Sequence, residues 1–141
     1  MALIQATRAD LQRVEDPREA IHIVKRADSI KYLTTKADAS AEVQNQAAEV
    51  ALRARRKAGE LLAAVPRDAG GRPKENSAHA EPSFTPYQEV LKEAQLPAPT
   101  AKRFQQLARI PDEEFERHVT GTRADEITTA AALRKGKEAD R

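Results

Sequence analysis

Two prolines inside the run AQLPAP, Pro97 and Pro99, divide the segment Pro86 to Ile110 (PYQEVLKEAQLPAPTAKRFQQLARI), whose flanks both carry helical periodicity. Proline lacks an amide hydrogen and clashes with the turn before it, so no continuous helix passes through this run. The chain must bend here. Ahead of the bend, Thr85 is suited to cap a helix, Pro86 to its first turn, and Gln88 to return its amide to the capping backbone. Tyr87, Val90, Leu91 and Ala94 then share one face, and Leu96 is placed to fill the angle between two helices. After the bend a second helix is expected to start at Pro99 or Thr100, with Ala101, Phe104, Leu107 and Ala108 inward. That leaves Thr100, Lys102, Arg103, Gln105, Gln106 and Arg109 outward, and from Pro99 to Ile110 the only charged residues are basic.

This is the outline of a helix-turn-helix. Outward Lys, Arg, Gln and Thr are the side chains that hydrogen-bond base edges in the major groove and the adjoining phosphates. The competing account of the same pattern is a solvated face on an ordinary pair of packed helices.

The remainder of the chain constrains what surrounds this unit. With 141 residues, aromatics at 4% and no Trp or Cys, the apolar content rests on Ala, Leu, Val and Ile, which bury helix faces but build no large core. Charged residues reach 33% and the net charge is only +2, but the basic excess is local. It falls at Arg53, Arg55, Arg56, Lys57, Arg67, Arg72 and Lys74, against Glu60, Asp68, Glu75 and Glu81. A local basic patch attracts polyanions whatever the total charge. The absence of cysteine excludes disulfides and thiolate chemistry. The N-terminal MALIQATRADLQ has no apolar leader pattern, and no stretch is long enough to span a membrane. These features imply a cytoplasmic protein with no membrane partner.

A first short helix is expected from Leu3 to Val14. Asp16, Pro17 and Glu19 open a second, which runs to about Thr34 with Ile23, Ala27 and Ile30 on its seam. TTKADAS interrupts, and a longer helix follows from about Ser40 to Val65. It carries Val43, Ala47, Val50, Ala54, Leu61 and Val65 at close to heptad spacing. Gly59 within it marks a close approach of another backbone. Two helices joined by a short polar connection fold back as an antiparallel hairpin. One side of the hairpin's apolar stripe would remain open, to be closed by the C-terminal helices or by a second copy of the chain.

Arg53, Arg56 and Lys57 are expected on the outer side of this helix, as solvated charges or as phosphate contacts. Pro66 to Pro82 has no apolar period and reads as a linker. Its GRPK, Gly71 to Lys74, is similar to the core of an AT-hook and would bring Arg72 and Lys74 to DNA, although Gly70 stands where an AT-hook carries arginine. Past the helix pair, Pro111 and Asp112 open an acidic helix with Phe115 and Val119 inward. A last helix is expected from about Asp125 to Lys137, then a tail. The expected fold class is all-α: a helical hairpin at 1–65, a flexible basic linker at 66–84, a helix-turn-helix bundle at 85–137 and a tail at 138–141.

From Pro86 onward the order of features, a helix pair followed by QLARIPDEEFERHV and then ITTAAALRK, resembles the helix-turn-helix region of ParB-type DNA-binding proteins. The resemblance covers about a third of the chain. It implies that Thr100, Lys102, Arg103 and Gln105 lie on the recognition helix, with Phe104 and Leu107 buried behind them. The arginine-rich nucleotide-binding part of ParB has no counterpart here, so no nucleotide cofactor is implied. The layout NQAAEVALRARRKAGELLA, a GGRP linker and the helix pair is also similar to a group of small actinobacterial phage and mobile-element proteins.

Catalysis is not indicated. His22, His79 and His118 fall in three different segments with no cysteine to complete a metal site. The carboxylates Asp112, Glu113, Glu114 and Glu116 suit a helix's first turns without a catalytic role. No phosphate-binding loop or dinucleotide fingerprint is present. The expectation is a non-enzymatic protein without cofactor or metal, with double-stranded DNA and a second copy of itself as partners. The alternative is a helical adaptor that presents the Val43 to Val65 stripe to a host protein.

Overall fold

The computed structural model describes residues 2–66 and 85–120. These form six helices and no strand: α1 (Ala2–Arg13), α2 (Pro17–Lys36), α3 (Ala41–Ala63), α4 (Pro86–Ala94), α5 (Ala98–Ala108) and α6 (Asp112–Thr120). The expected last helix, the linker with its GRPK motif and the tail lie outside the described residues.

Local capping chemistry sets the helix starts. The Asp16 carboxylate accepts from the Arg18 amide at 2.8 Å with Pro17 in the first turn of α2, and the Ser40 hydroxyl accepts from Val43 at 3.3 Å at the start of α3. Thr85 and Gln88 form a reciprocal capping box on α4, the Gln88 amide donating to the Thr85 hydroxyl at 3.2 Å and the Thr85 amide to the Gln88 side chain at 3.0 Å. Such a cap contributes about 1 kcal/mol to a short helix.

α1 turns Ile4, Thr7 and Leu11 inward, and the Thr7 hydroxyl satisfies itself on the Leu3 carbonyl at 2.7 Å. α2 and α3 bury their apolar stripes against each other. Ala20, Ile23, Ala27 and Ile30 of α2 and Ala47, Val50, Ala51, Ala54, Ala58 and Leu62 of α3 join one core cluster. The alanines of α3 leave room for helices to approach closely. Each fully buried Ile, Leu or Phe in this core contributes roughly 1.5–3 kcal/mol.

The open side of the α2–α3 pair is closed from within the chain. Ala101 and Phe104 of α5 and Val90 and Ala94 of α4 belong to the same cluster as the α2 and α3 seams, with Val43, Leu61 and Val65 packed at its margin. The seam residues Ile23, Ala27, Ile30, Ala47, Val50 and Ala54 are thus buried in a single copy, while Val43, Leu61 and Val65 are partly buried. The expected division at 66 and 84 does not separate two cores either. The Tyr87 amide donates to the Pro66 carbonyl at 3.2 Å, bringing the start of α4 beside the end of α3.

A second, smaller cluster lies beneath α6, where Ala48 and Leu52 of α3 meet Leu107, Ile110, Phe115 and Val119. Ion pairs fix the register of neighbours: Arg26 to Asp10 at 2.6 Å between α2 and α1, Arg8 to Glu49 at 2.9 Å between α1 and α3, and Arg55 to Asp28 at 2.6 Å between α3 and α2. Pairs this exposed are worth on the order of 0–1 kcal/mol, so apolar burial holds the helices and the pairs select their alignment.

Candidate nucleic-acid interface

The proline-split run folds as a tight corner between α4 and α5. Gln95 caps α4 in the left-handed region at φ 55°, and the Leu96 amide donates back to the Leu91 carbonyl at 2.9 Å. Lys25 of α2 donates its ammonium to the Ala94 carbonyl at 2.9 Å, and Arg18 of α2 pairs with Glu93. The last carbonyls of α4 therefore have partners and the corner is fixed from outside. Leu96 is half-buried and packs against the core, as its place in the bend suggests.

α5 begins at Ala98, slightly earlier than expected, with Pro97 as its cap residue and no side-chain capping bond. Its inner face, Ala101, Phe104 and Leu107, is buried. Where α5 crosses α3 the two backbones touch: Gly59 has no Cβ, and one built there would lie 1.9 Å from the Phe104 carbonyl oxygen. The close approach expected of Gly59 is thereby accounted for.

The outward set needs one correction. Gln105 is 4% exposed, and its side-chain nitrogen donates to the Tyr87 hydroxyl at 2.6 Å and to the Ala101 carbonyl at 3.3 Å. It joins α5 to α4 and does not face solvent. The helical wheel places 105 beside 101 and 108, so the inner arc is wider than the apolar residues alone mark. Lys102, Arg103 and Arg109 are exposed as expected, while Thr100 and Gln106 are half-buried at the edges of the strip.

The basic run of α3 also departs from expectation. Arg53 lies across α6, donating to the two carboxylate oxygens of Glu116 at 2.6 and 2.7 Å and to Glu49 at 3.2 Å. Arg56 donates to the Leu107 carbonyl at 3.3 Å, the Ile110 carbonyl at 2.7 Å and the Asp112 carboxylate at 2.6 Å. Lys57 stands 4.0 Å from Glu60. The guanidinium carbons of Arg53 and Arg56 sit 5.7 and 4.5 Å from the centre of the buried Phe115 ring. Arg53 and Arg56 thus fasten α6 and the end of α5 to α3 rather than projecting as phosphate contacts. Nothing in the run ALRARRK distinguishes these partners; the signal lay in the acidic helix sixty residues later. The Arg53 hydrogen bonds hold the Glu116 carboxyl below its ordinary value, and Glu116 in turn raises Arg53.

The charge pattern that results is uneven. Every arginine of α1, α2 and α3 is engaged in an ion pair, as is Arg117 of α6 with Glu113 and Glu114. Arg103 and Arg109 have no ion pair with any described residue; Lys102 and Arg109 share one side of α5 and its C-cap, Arg103 lies further round, and the helix carries no acid. Unneutralised guanidinium groups on a rigid helix suit phosphate and the guanine edge, which Arg contacts through two parallel hydrogen bonds.

Among the described residues no group of His, Asp and Glu is arranged to hold a metal ion, and no helix is long and apolar enough to cross a membrane. Of the histidines, His118 is 3% exposed within α6. Arg72 and Lys74 lie outside the described residues. Comparison of the chain with protein-family models, with curated proteins and with solved structures gave no match.

Proposed function

We propose that this chain binds double-stranded DNA, with α5 as the helix that enters the major groove and Lys102, Arg103, Gln106 and Arg109 as its contacting side chains. The observation that carries the reading is the pair Arg103 and Arg109, both exposed and without ion-pair partners among the described residues, one within α5 and one at its C-cap, on a helix held from behind by α3 and α4. A recognition helix must be backed firmly enough that its outer side chains meet the groove at a fixed angle. The ParB-like order of features in the sequence from Pro86 supports the same reading, as does the likeness to phage and mobile-element proteins. Regulation, partition or replication of a mobile element are the roles consistent with it. The alternative, an adaptor that presents the Val43 to Val65 stripe to a host protein, has less surface to use, since Ala47, Val50 and Ala54 are buried by the chain's own helices and Val43, Leu61 and Val65 are partly buried.

Fluorescence anisotropy on a mixed pool of duplexes, followed by selection of bound sites, tests the proposal. Binding should weaken linearly in log salt, with a slope of about −3 if the three outward cations each meet a phosphate. No binding to any duplex at low salt overturns it.

A further inference from the structure

Arg109, the C-cap residue of α5, is exposed. No basic residue occupies its last turn, and a helix C-terminus leaves carbonyls unpaired and partially negative. A guanidinium from α3 reaches them. Arg56, its side chain 19% exposed, reaches the carbonyls of Leu107 and Ile110 and the carboxylate of Asp112. It also lies over the Phe115 ring. One planar fork therefore joins α3, the end of α5 and the first residue of α6. Less than one turn further along α3, Gly59 receives the middle of α5 at Phe104. Two fixed points along one helix determine the direction of the helix laid across it.

We infer that Arg56 is a positioning residue for α5, setting the angle at which Lys102, Arg103 and Arg109 are presented. This rests on the DNA reading above, and Arg56 itself touches no DNA in it. Lysine is no substitute, because an ammonium is a point charge on a flexible stem and lacks the fork that spans separated acceptors.

The test compares the wild type with Arg56→Lys, which keeps the charge and removes the fork. Binding is measured to the selected duplex and to a scrambled one, over a salt series. Positioning predicts that the selected-to-scrambled affinity ratio falls about tenfold while the salt slope is unchanged, because phosphate contacts remain and base contacts lose their geometry. An unchanged ratio overturns the inference, and so does a slope that drops by about 1, which marks direct phosphate contact.

Should Arg56→Lys fail to fold, Asp112→Asn removes the charge on one arm and leaves both carbonyl bonds. A lowered ratio is expected there, and an unchanged one overturns the inference. Amide hydrogen exchange on the free protein keeps the inference separate from the DNA reading. Arg56→Lys should speed exchange at the Arg109 and Ile110 amides, which bond to Gln106 and Leu107, by about tenfold relative to the α2 and α3 cores. Equal exchange overturns positioning even if the protein binds no duplex at all.

Discussion

The carbonyl of Phe104 rests against the Cα of Gly59. A Cβ at that position would stand 1.9 Å from the oxygen and 2.2 Å from its carbon, with the Gln105 amide nitrogen at 2.7 Å. No flexible side-chain end is involved, so neither backbone can yield without moving a whole helix. In this contact the paired helices α2 and α3 and the proline-split pair α4 and α5 become one body.

Gly59→Ala should therefore destabilise the protein. Helix propensity alone favours alanine by about 1 kcal/mol, whereas overlap in a packed interior costs about 1–3 kcal/mol and more when the obstacle is backbone. Urea denaturation should show a lower midpoint for the variant. A raised midpoint would mean that α5 does not lie on α3 as described.

Lys102→Ala combined with Arg103→Ala should leave stability within about 0.5 kcal/mol per site, because both side chains are exposed. The salt slope of duplex binding should become shallower by about 1.8 and sequence preference should vanish. Unchanged footprints would assign the reading to another part of the chain.

Gln105→Met keeps the volume of a buried side chain and removes its bond to the Tyr87 hydroxyl. The expected cost is about 1 kcal/mol in thermal or urea unfolding. Duplex affinity should be unchanged, because the amide faces α4. A loss of affinity with the fold intact would return Gln105 to the outward set.

Val50 is 2% exposed inside a single copy of the chain. Val50→Asp should therefore abolish folding at any protein concentration, since an unpaired buried carboxylate costs several kcal/mol. Sedimentation that showed a folded monomer produced from a wild-type dimer would instead restore the seam as an interface between copies.

Acid should loosen α6. Glu116 is held below its ordinary value of 4.5 by hydrogen bonds from Arg53. A carboxyl depressed in the folded state contributes stability that is full above its unfolded value and is lost as pH falls through the folded one. The Arg53–Glu116 contribution is thus present at neutral pH and disappears on acidification below 4.5. It is modest, because Glu116 is about half exposed. Melting curves recorded down through that range should converge for the wild type and Glu116→Gln, while differing at neutral pH. Parallel curves would remove the pair from the acid response.

Much of the secondary structure was legible because its causes are local. Asp16 with Pro17, Ser40, and Thr85 with Gln88 cap through side chains two or three residues from their targets, so those helix starts were visible in the chain itself. AQLPAP enforced its bend for the same reason. Helix ends were less so: α2 runs to Lys36, where no proline or glycine fixes the boundary, and α3 stops at Ala63, short of the Pro66 that follows it.

The candidate interface was legible only in part. Lys102, Arg103 and Arg109 followed from the helical period, but Gln105 did not, because a polar residue facing a tyrosine hydroxyl on another helix leaves no mark in its own sequence. The same limit applied to Arg53 and Arg56, whose carboxylate partners sit on α6.

By itself the sequence determined the helical character of the described residues, the capped helix starts, the obligatory corner before α5 and the acid-free face of that helix. Each depends on interactions within a few residues. Only the tertiary structure decided that α4 and α5 close the stripe left open by α2 and α3, that Arg53 and Arg56 of α3 hold α5 and α6, and that Arg103 and Arg109 are left without ion pairs among the described residues. Those outcomes depend on which helix packs against which, and on a glycine whose missing Cβ matters only once another backbone is laid across it.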